Sequence, residues 1–201
     1  MRRGEKIAII STSVLVMGVL TFLFIYNYRK KNRRVIHNII DKLPKSTNCT
    51  SSNRDLDEVD TIVVHQTDSK CKGDQHPFDT ANHHINGNGW CGIGYHMFIT
   101  EAGKIFQTRS LTAESPHAGS RNNRTSIGVV ICGDHRLKDA QQNESIIPTE
   151  QYRSLVWTLA YLQKTYPRLT RIVSHDSLSA SRTDPNLHMS ELLRDVKKTR
   201  V

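Results

Sequence analysis

The chain has few aromatic residues and few cysteines. Phe, Trp and Tyr make up 6% of its 201 residues, and they are not interleaved with arginine in the way that stacking on bases requires. Nucleic acid is therefore the weaker partner for a net charge of +9; an anionic polymer or a membrane face suits that charge better. No C-x-x-C pair occurs, which excludes a cysteine-rich zinc knuckle. Cys49, Cys71, Cys91 and Cys132 are too few and too scattered for a disulfide framework. Cys132, inside SIGVVICGD, reads as a small core residue. Cys71 and Cys91 are free to pair if they face an oxidising space. There is no internal repeat.

Charge is missing altogether from Ile7 to Tyr28, an apolar run of 22 residues. At about 1.5 Å per residue it reaches about 33 Å, enough to cross a hydrocarbon layer of about 30 Å. No A-x-A-like cleavage site follows, so the run reads as an uncleaved anchor and not as a signal peptide. Arg2, Arg3 and Lys6 precede it, and Arg29, Lys30, Lys31, Arg33 and Arg34 follow it. That count leans towards a cytoplasmic C-terminal side. The expected organisation is a tail (1–6), a transmembrane helix (7–28), a basic and polar linker (29–55) and one domain (56–201). Within the linker, Val35, Ile36, Ile39, Ile40 and Leu43 have helical spacing up to Pro44, and STNCTSSNRD reads as flexible.

Beyond Leu56 strands and helices alternate. TIVVHQT (61–67), GYHMFIT (94–100), KIFQT, SIGVVIC (126–132) and RIVS are strand-like, the fourth apolar on both faces. Helices are expected near Thr80–Asn86, from Thr149 with a stripe of Tyr152, Leu155, Val156, Leu159 and Leu162, and over ELLRDVKKTR after a Ser190 cap. The expected fold is α/β or α+β, with a central mixed sheet of about five strands flanked by helices.

His65 and His175 each stand where a strand runs out. If those strands are neighbours, the two imidazoles converge, and Asp184 can return to the same point. Two neutral imidazoles and a carboxylate make a three-ligand zinc site with an open position. No i, i+4 histidine pair is involved, so spacing alone leaves a polar loop as the alternative.

Five segments, in order, extend the pattern: IVVHQT (62–67), GWCGIGYHMFITEAGKIFQTR (89–109), HAGSRNNRTSIGVVICGD (117–134), the helix from Thr149, and VSHDSLSASRTDP (173–185). Together they resemble the zinc-dependent N-acetylmuramoyl-L-alanine amidase superfamily, which includes phage and bacterial wall amidases and animal peptidoglycan recognition proteins. The resemblance implies one Zn2+ held by His65, His175 and Asp184. Tyr95 would assist the attacking water or the tetrahedral intermediate, and Arg182, where relatives carry Lys, would stabilise the oxyanion electrostatically. His117 and Asn123 match a loop that lines the substrate groove. Thr67 and Trp90 are further candidates for glycan or peptide contact, although Trp90 serves equally as core. His117 is also the alternative metal ligand. Val130 stands where some bacterial members carry a catalytic Glu, so no carboxylate base is expected. His83 and His84 are read as helix surface, and His96 as structural. The sequons at Asn48, Asn123 and Asn143 carry little weight.

The resulting expectation is a membrane-anchored zinc amidase that cuts the bond between N-acetylmuramic acid and L-alanine of peptidoglycan. The alternatives are a recognition protein that binds peptidoglycan without cutting it, and a phage-type lysis amidase tethered by its N-terminus.

Overall fold

The computed structural model describes residues 14, 16–23, 34–135 and 147–201. The chain divides into two compact units, 1–34 and 35–201. In the first, residues 16–23 are helical, with Val16, Met17, Leu20 and Phe22 exposed. Among the described residues no helix is long and apolar enough to cross a membrane. The remainder of the expected 7–28 span lies outside those residues, as do most of its basic flanks.

The second unit is built on a six-stranded mixed sheet. Its strands are β1 (Ile36–Asn38), β2 (Thr61–Gln66), β3 (Met97–Ile99), β4 (Ile105–Gln107), β5 (Ser126–Ile131) and β6 (Arg171–Ser174). The spatial order is β1-β4-β3-β5-β2-β6. Among the described residues only β3 and β4 run antiparallel; the other four pairings are parallel. Among the described residues of this unit four α-helices accompany it: α1 (His76–Asn86), α2 (Ser120–Thr125), α3 (Thr149–Thr165) and α4 (Met189–Lys198).

The central strands β2 and β5 are buried along their whole length, as expected of parallel strands covered on both faces. Ile62, Val64, Ile127, Val129 and Ile131 point to one side, where Leu155, Leu159 and Leu162 of α3 and Leu192 and Val196 of α4 meet them. Each fully buried Leu or Ile there contributes about 1.5–3 kcal/mol. Val130, Phe98 and Phe106 face the other side, with Ala81 of α1, Ile39 and Leu43. His65 alternates onto this second face, in register with Val130 and Phe98.

The turn between β3 and β4 requires glycine. Gly103 has φ +80°, and a Cβ there would lie 2.5 Å from the carbonyl oxygen of Glu150. The close approach seats the start of α3, where Ser154 Oγ donates to the Gly103 carbonyl at 2.6 Å.

The structure differs from the sequence expectation most clearly before Leu56. Residues 36–38 form an edge strand parallel to β4 and not a helix. Val35 and Ile36 are β-branched and suit an edge strand. The helical spacing survives only as one turn, where the Leu43 amide donates to the Ile39 carbonyl at 3.2 Å and both side chains are buried. This strand is the sixth, one more than expected. The segment expected to be a flexible linker is folded onto the unit. Ser46 donates its amide to Cys91, Arg54 donates its amide to Thr112, and Asn53 bridges Ala113. The Arg54 guanidinium is buried and donates to the carbonyls of Asn123, Arg124 and Leu111.

The cysteines also depart from expectation. Cys49 pairs with Cys91, and Cys71 with Cys132, each across 5.5 Å between Cα atoms. Cys71 and Cys91 therefore do not pair with each other, and Cys132 is a cross-link as well as a core residue. Helix α1 begins at His76, four residues earlier than the expected Thr80, with Pro77 suited to its first turn.

Candidate metal centre

Strands β2 and β6 are parallel neighbours, with Val64 opposite Ser174. Their carboxyl ends therefore deliver His65 and His175 side by side, and the His175 amide donates to the Val64 carbonyl at 3.2 Å. The 176–184 loop closes on itself, with the Asp176 amide donating to the Asp184 carbonyl at 3.0 Å. That closure returns the Asp184 carboxylate to the two rings. His65 Nδ1 lies 3.1 Å from Asp184 Oδ2, and His175 Nδ1 lies 2.8 Å from Asp184 Oδ1. The two ring centroids are 4.5 Å apart, and one donor atom from each of the three residues lies within 4.8 Å of the others. All three residues are buried.

Burial pushes the His65 imidazole down to about 4, so it is neutral at pH 7. Burial alone would raise the Asp184 carboxyl, but the hydrogen bonds with His175 and His65 outweigh it and hold the group well below the usual carboxylate range. A four-coordinate zinc with bonds of about 2.0–2.1 Å has neighbouring donors about 3.3 Å apart. The separations found here are slightly shorter, and the donor chemistry fits zinc.

A second cluster, Cys71, His76 and Cys132, also brings potential donor atoms within 4.8 Å of one another. Both of its sulfurs are committed to the disulfide, and His76 Nδ1 accepts the Lys72 amide at 3.2 Å. It offers neither a thiolate nor a free imidazole lone pair, so it does not fit a metal in this form.

Tyr95 sits at the edge of the first cluster, its ring centroid 5.2 Å from that of His65. Its hydroxyl is pushed upward by burial and by the charges of Asp184 and Asp68, so it stays protonated at any working pH. Arg182 is exposed on the 176–184 loop, and its positive charge reaches both His65 and Tyr95. Beside Tyr95 opens a cavity of about 540 Å³ whose lining includes Thr67, Lys72, His76, Asp79 and His84.

The remaining sequence candidates fall in different places. Thr67 lines the cavity, and its hydroxyl bonds both the amide and the carbonyl of Gly133. Trp90 packs against the His84 ring, with centroids 4.6 Å apart. His117 is buried behind His65, its Nδ1 3.0 Å from His65 Nε2, and does not line the cavity. Asn123 is tied to the backbone, its Oδ1 accepting the amides of His117 and Ala118. His84 is buried, not on the helix surface. It accepts the Gly94 amide at 2.9 Å on Nδ1 and forms part of the cavity wall. Its three-residue spacing from buried Ala81 was the available signal. His83 is exposed, as expected. His96 is fully buried and structural, accepting the Gly128 amide on Nδ1 and donating from Nε2 to the Ala113 carbonyl.

These buried rings make a pH prediction. Burial lowers His84 to about 4 and His96 to about 3, against about 6.5 in an unfolded chain. Between those values the unfolded state binds more protons. Stability is therefore complete above pH ~6.5 and is lost as pH falls towards 4, by about 1.4 kcal/mol per pH unit for each ring. Urea midpoints of the chelator-treated protein should drop steadily between pH 7 and pH 4.5; a flat profile would contradict this.

A family profile described as N-acetylmuramoyl-L-alanine amidase matches residues 55–187. Peptidoglycan recognition protein 1 of Bos indicus is 27% identical over 85 residues, covering 39% of this chain and 45% of that protein. The matched stretch is thus less than half the length of that relative. Among solved structures, the amidase LysC from Clostridium intestinale URNW superposes with a TM-score of 0.62 at 23% identity, over 82% of this chain and 99% of that one. The Ph2119 endolysin from Thermus scotoductus MAT2119 bacteriophage Ph2119 gives 0.64 at 21% identity, over 81% and 99%. With the profile spanning well over half of its residues, the chain belongs to the N-acetylmuramoyl-L-alanine amidase family.

Proposed function

We propose that the protein is a zinc-dependent peptidoglycan hydrolase that cleaves the amide between N-acetylmuramic acid and L-alanine of the stem peptide. The observation that carries this reading is the convergence of His65 Nδ1, His175 Nδ1 and the Asp184 carboxylate on one point, next to Tyr95, which lines an open cavity. A zinc ion held by those three residues would supply Lewis acidity, making water nucleophilic near neutral pH and polarising a carbonyl. The protonated Tyr95 hydroxyl is suited to donate a hydrogen bond to a developing oxyanion and cannot act as a base at neutral pH. Arg182 adds positive charge on the same side. Val130, fully buried in the row beside His65, leaves no carboxylate at that position to serve as base.

Tyr95→Phe should therefore leave zinc content unchanged and lower kcat roughly 10²- to 10³-fold on muramyl peptide. Unaltered turnover would remove Tyr95 from the chemistry. Release of a free L-alanyl amine from muramyl peptide, abolished by a chelator and restored by zinc, tests the activity itself. The kinship with recognition proteins favours a second reading, in which peptidoglycan is held and not cut; binding without product release would select it. The likeness to a bacteriophage endolysin supports a third, with the same chemistry used for lysis.

On this reading residues 7–28 would anchor the protein in a membrane, with the hydrolase unit on the cell-wall side. The uncharged run supports the anchor, and two disulfides support an oxidising compartment for the unit.

A further inference from the structure

We infer that His117 is a positioning residue for the metal ligand His65, and that metal binding reverses the direction of hydrogen bonding along His65, His117 and Ser126. The inference rests on the reading of His65, His175 and Asp184 as a zinc site. His117 does not line the cavity and is not one of the three clustered residues, but it contacts one of them. Its ring lies edge-on to that of His65, with centroids 5.1 Å apart and planes at 85°. His65 Nε2 and His117 Nδ1 are 3.0 Å apart, and His117 Nε2 is 3.3 Å from Ser126 Oγ. Ser126 Oγ in turn faces the carbonyl of Asn122.

The chain of contacts admits two directions. Without metal, His65 Nδ1 carries the hydrogen that bonds Asp184, so its Nε2 holds the lone pair. His117 must then donate from Nδ1, and its Nε2 accepts from the Ser126 hydroxyl. With metal, the His65 Nδ1 lone pair is taken by the ion, so Nε2–H donates to His117 Nδ1. His117 Nε2–H then donates to Ser126 Oγ, whose own hydrogen turns to the Asn122 carbonyl. Each ring keeps one N–H throughout; only its position changes. The His65 ring is held at Nε2 in either state, which fixes the direction in which Nδ1 points.

The sequence makes room for this. Gly128 lies on β5 beneath the His117 ring, and a Cβ there would come 2.9 Å from both Cγ and Nδ1 of His117. The loop is fixed from the other side by Asn123, which accepts the His117 amide.

The test uses the full chain with 15N-labelled histidine, zinc-free and zinc-loaded, with long-range 1H–15N correlations to locate the hydrogen on each ring. His117 should carry it on Nδ1 without zinc and on Nε2 with zinc. A His117 that keeps one form in both samples overturns the inference while leaving the zinc site standing. A wild-type chain that takes up no zinc overturns the metal reading and this inference with it. Chelator competition gives a second measure. His117→Phe, which leaves His65 Nε2–H without an acceptor, should weaken zinc binding about 10- to 100-fold. His117→Asn, whose Oδ1 can replace Nδ1 as acceptor, should recover most of that loss. Wild-type affinity in a folded Phe variant, or an Asn variant as weak as Phe, would count against the assignment. If the Phe variant does not fold, the labelled wild-type chain decides.

Discussion

Asp184→Ala is expected to bring zinc content close to zero and to reduce cleavage of muramyl peptide to background. Asp184 is the anionic member of the donor set, and it spans the two imidazoles with contacts of 3.1 and 2.8 Å. Without it, two neutral rings would face a dication in a buried space with nothing to balance the charge. The zinc-free protein should also lose stability. The N–H groups that donate to the carboxylate would be left buried without acceptors, at about 1–3 kcal/mol each. Metal analysis, product release and the urea midpoint of the chelated variant measure the three effects separately. Retention of zinc and cleavage would place the third ligand elsewhere. His117 is poorly placed to replace Asp184, because its Nδ1 already faces His65 Nε2 at 3.0 Å.

The convergence of His65 and His175 was partly legible in the sequence because strand ends are legible, although spacing alone left a polar loop as the alternative and the resemblance to the amidase superfamily selected the set with Asp184. TIVVHQT and RIVS are short β-branched runs, and a histidine at or just beyond the end of each needs only parallel pairing of the two strands to meet the other. The loop SHDSLSASRTDP brings Asp184, the third candidate ligand, to the two rings by closing on its own backbone. What lies behind the ligands was not legible in this way. His117 was placed in the groove, yet it is behind His65, because which face a loop histidine turns to depends on the hole left by Gly128. His83 and His84 were both read as helix surface, although adjacent residues cannot share a face; burial of one and not the other is set by the packing of α1 on the sheet. The largest miss was the segment 35–55. The apolar spacing of 35–43 reads as a helix and the polar, small residues of 46–55 as a tether, and nothing local indicates that Cys49 finds Cys91 or that buried Arg54 meets carbonyls far along the chain. Such long-range pairings leave no periodicity to read.

Reduction of the two disulfides is expected to unfold the 35–201 unit or bring it to the edge of unfolding. Cys49–Cys91 links positions 42 residues apart, and Cys71–Cys132 positions 61 apart. By the chain-entropy argument each closure restricts the unfolded chain by about 4 kcal/mol, against a total stability of about 5–15 kcal/mol for an ordinary domain. The two loops overlap, so their contributions do not simply add, but loss of both should remove most of the margin. Cys49 anchors the 45–55 segment, and Cys71 lies in the stretch bordering the cavity, so both cross-links fasten parts of the chain with little regular structure. Urea unfolding with and without a dithiol, and of the paired Cys→Ser variants, gives the magnitude. The same cross-links bear on the side proposed for the unit if residues 7–28 are an anchor. The Lys and Arg flanks of the uncharged run lean towards a cytoplasmic unit, whereas a unit that needs two disulfides would be marginal in a reducing cytosol. Dependence on the disulfides would outweigh the narrow difference in flanking charge. A reduced protein that unfolds at the same urea concentration as the oxidised one would remove the disulfide argument for the oxidising side and leave the charge count as the better guide.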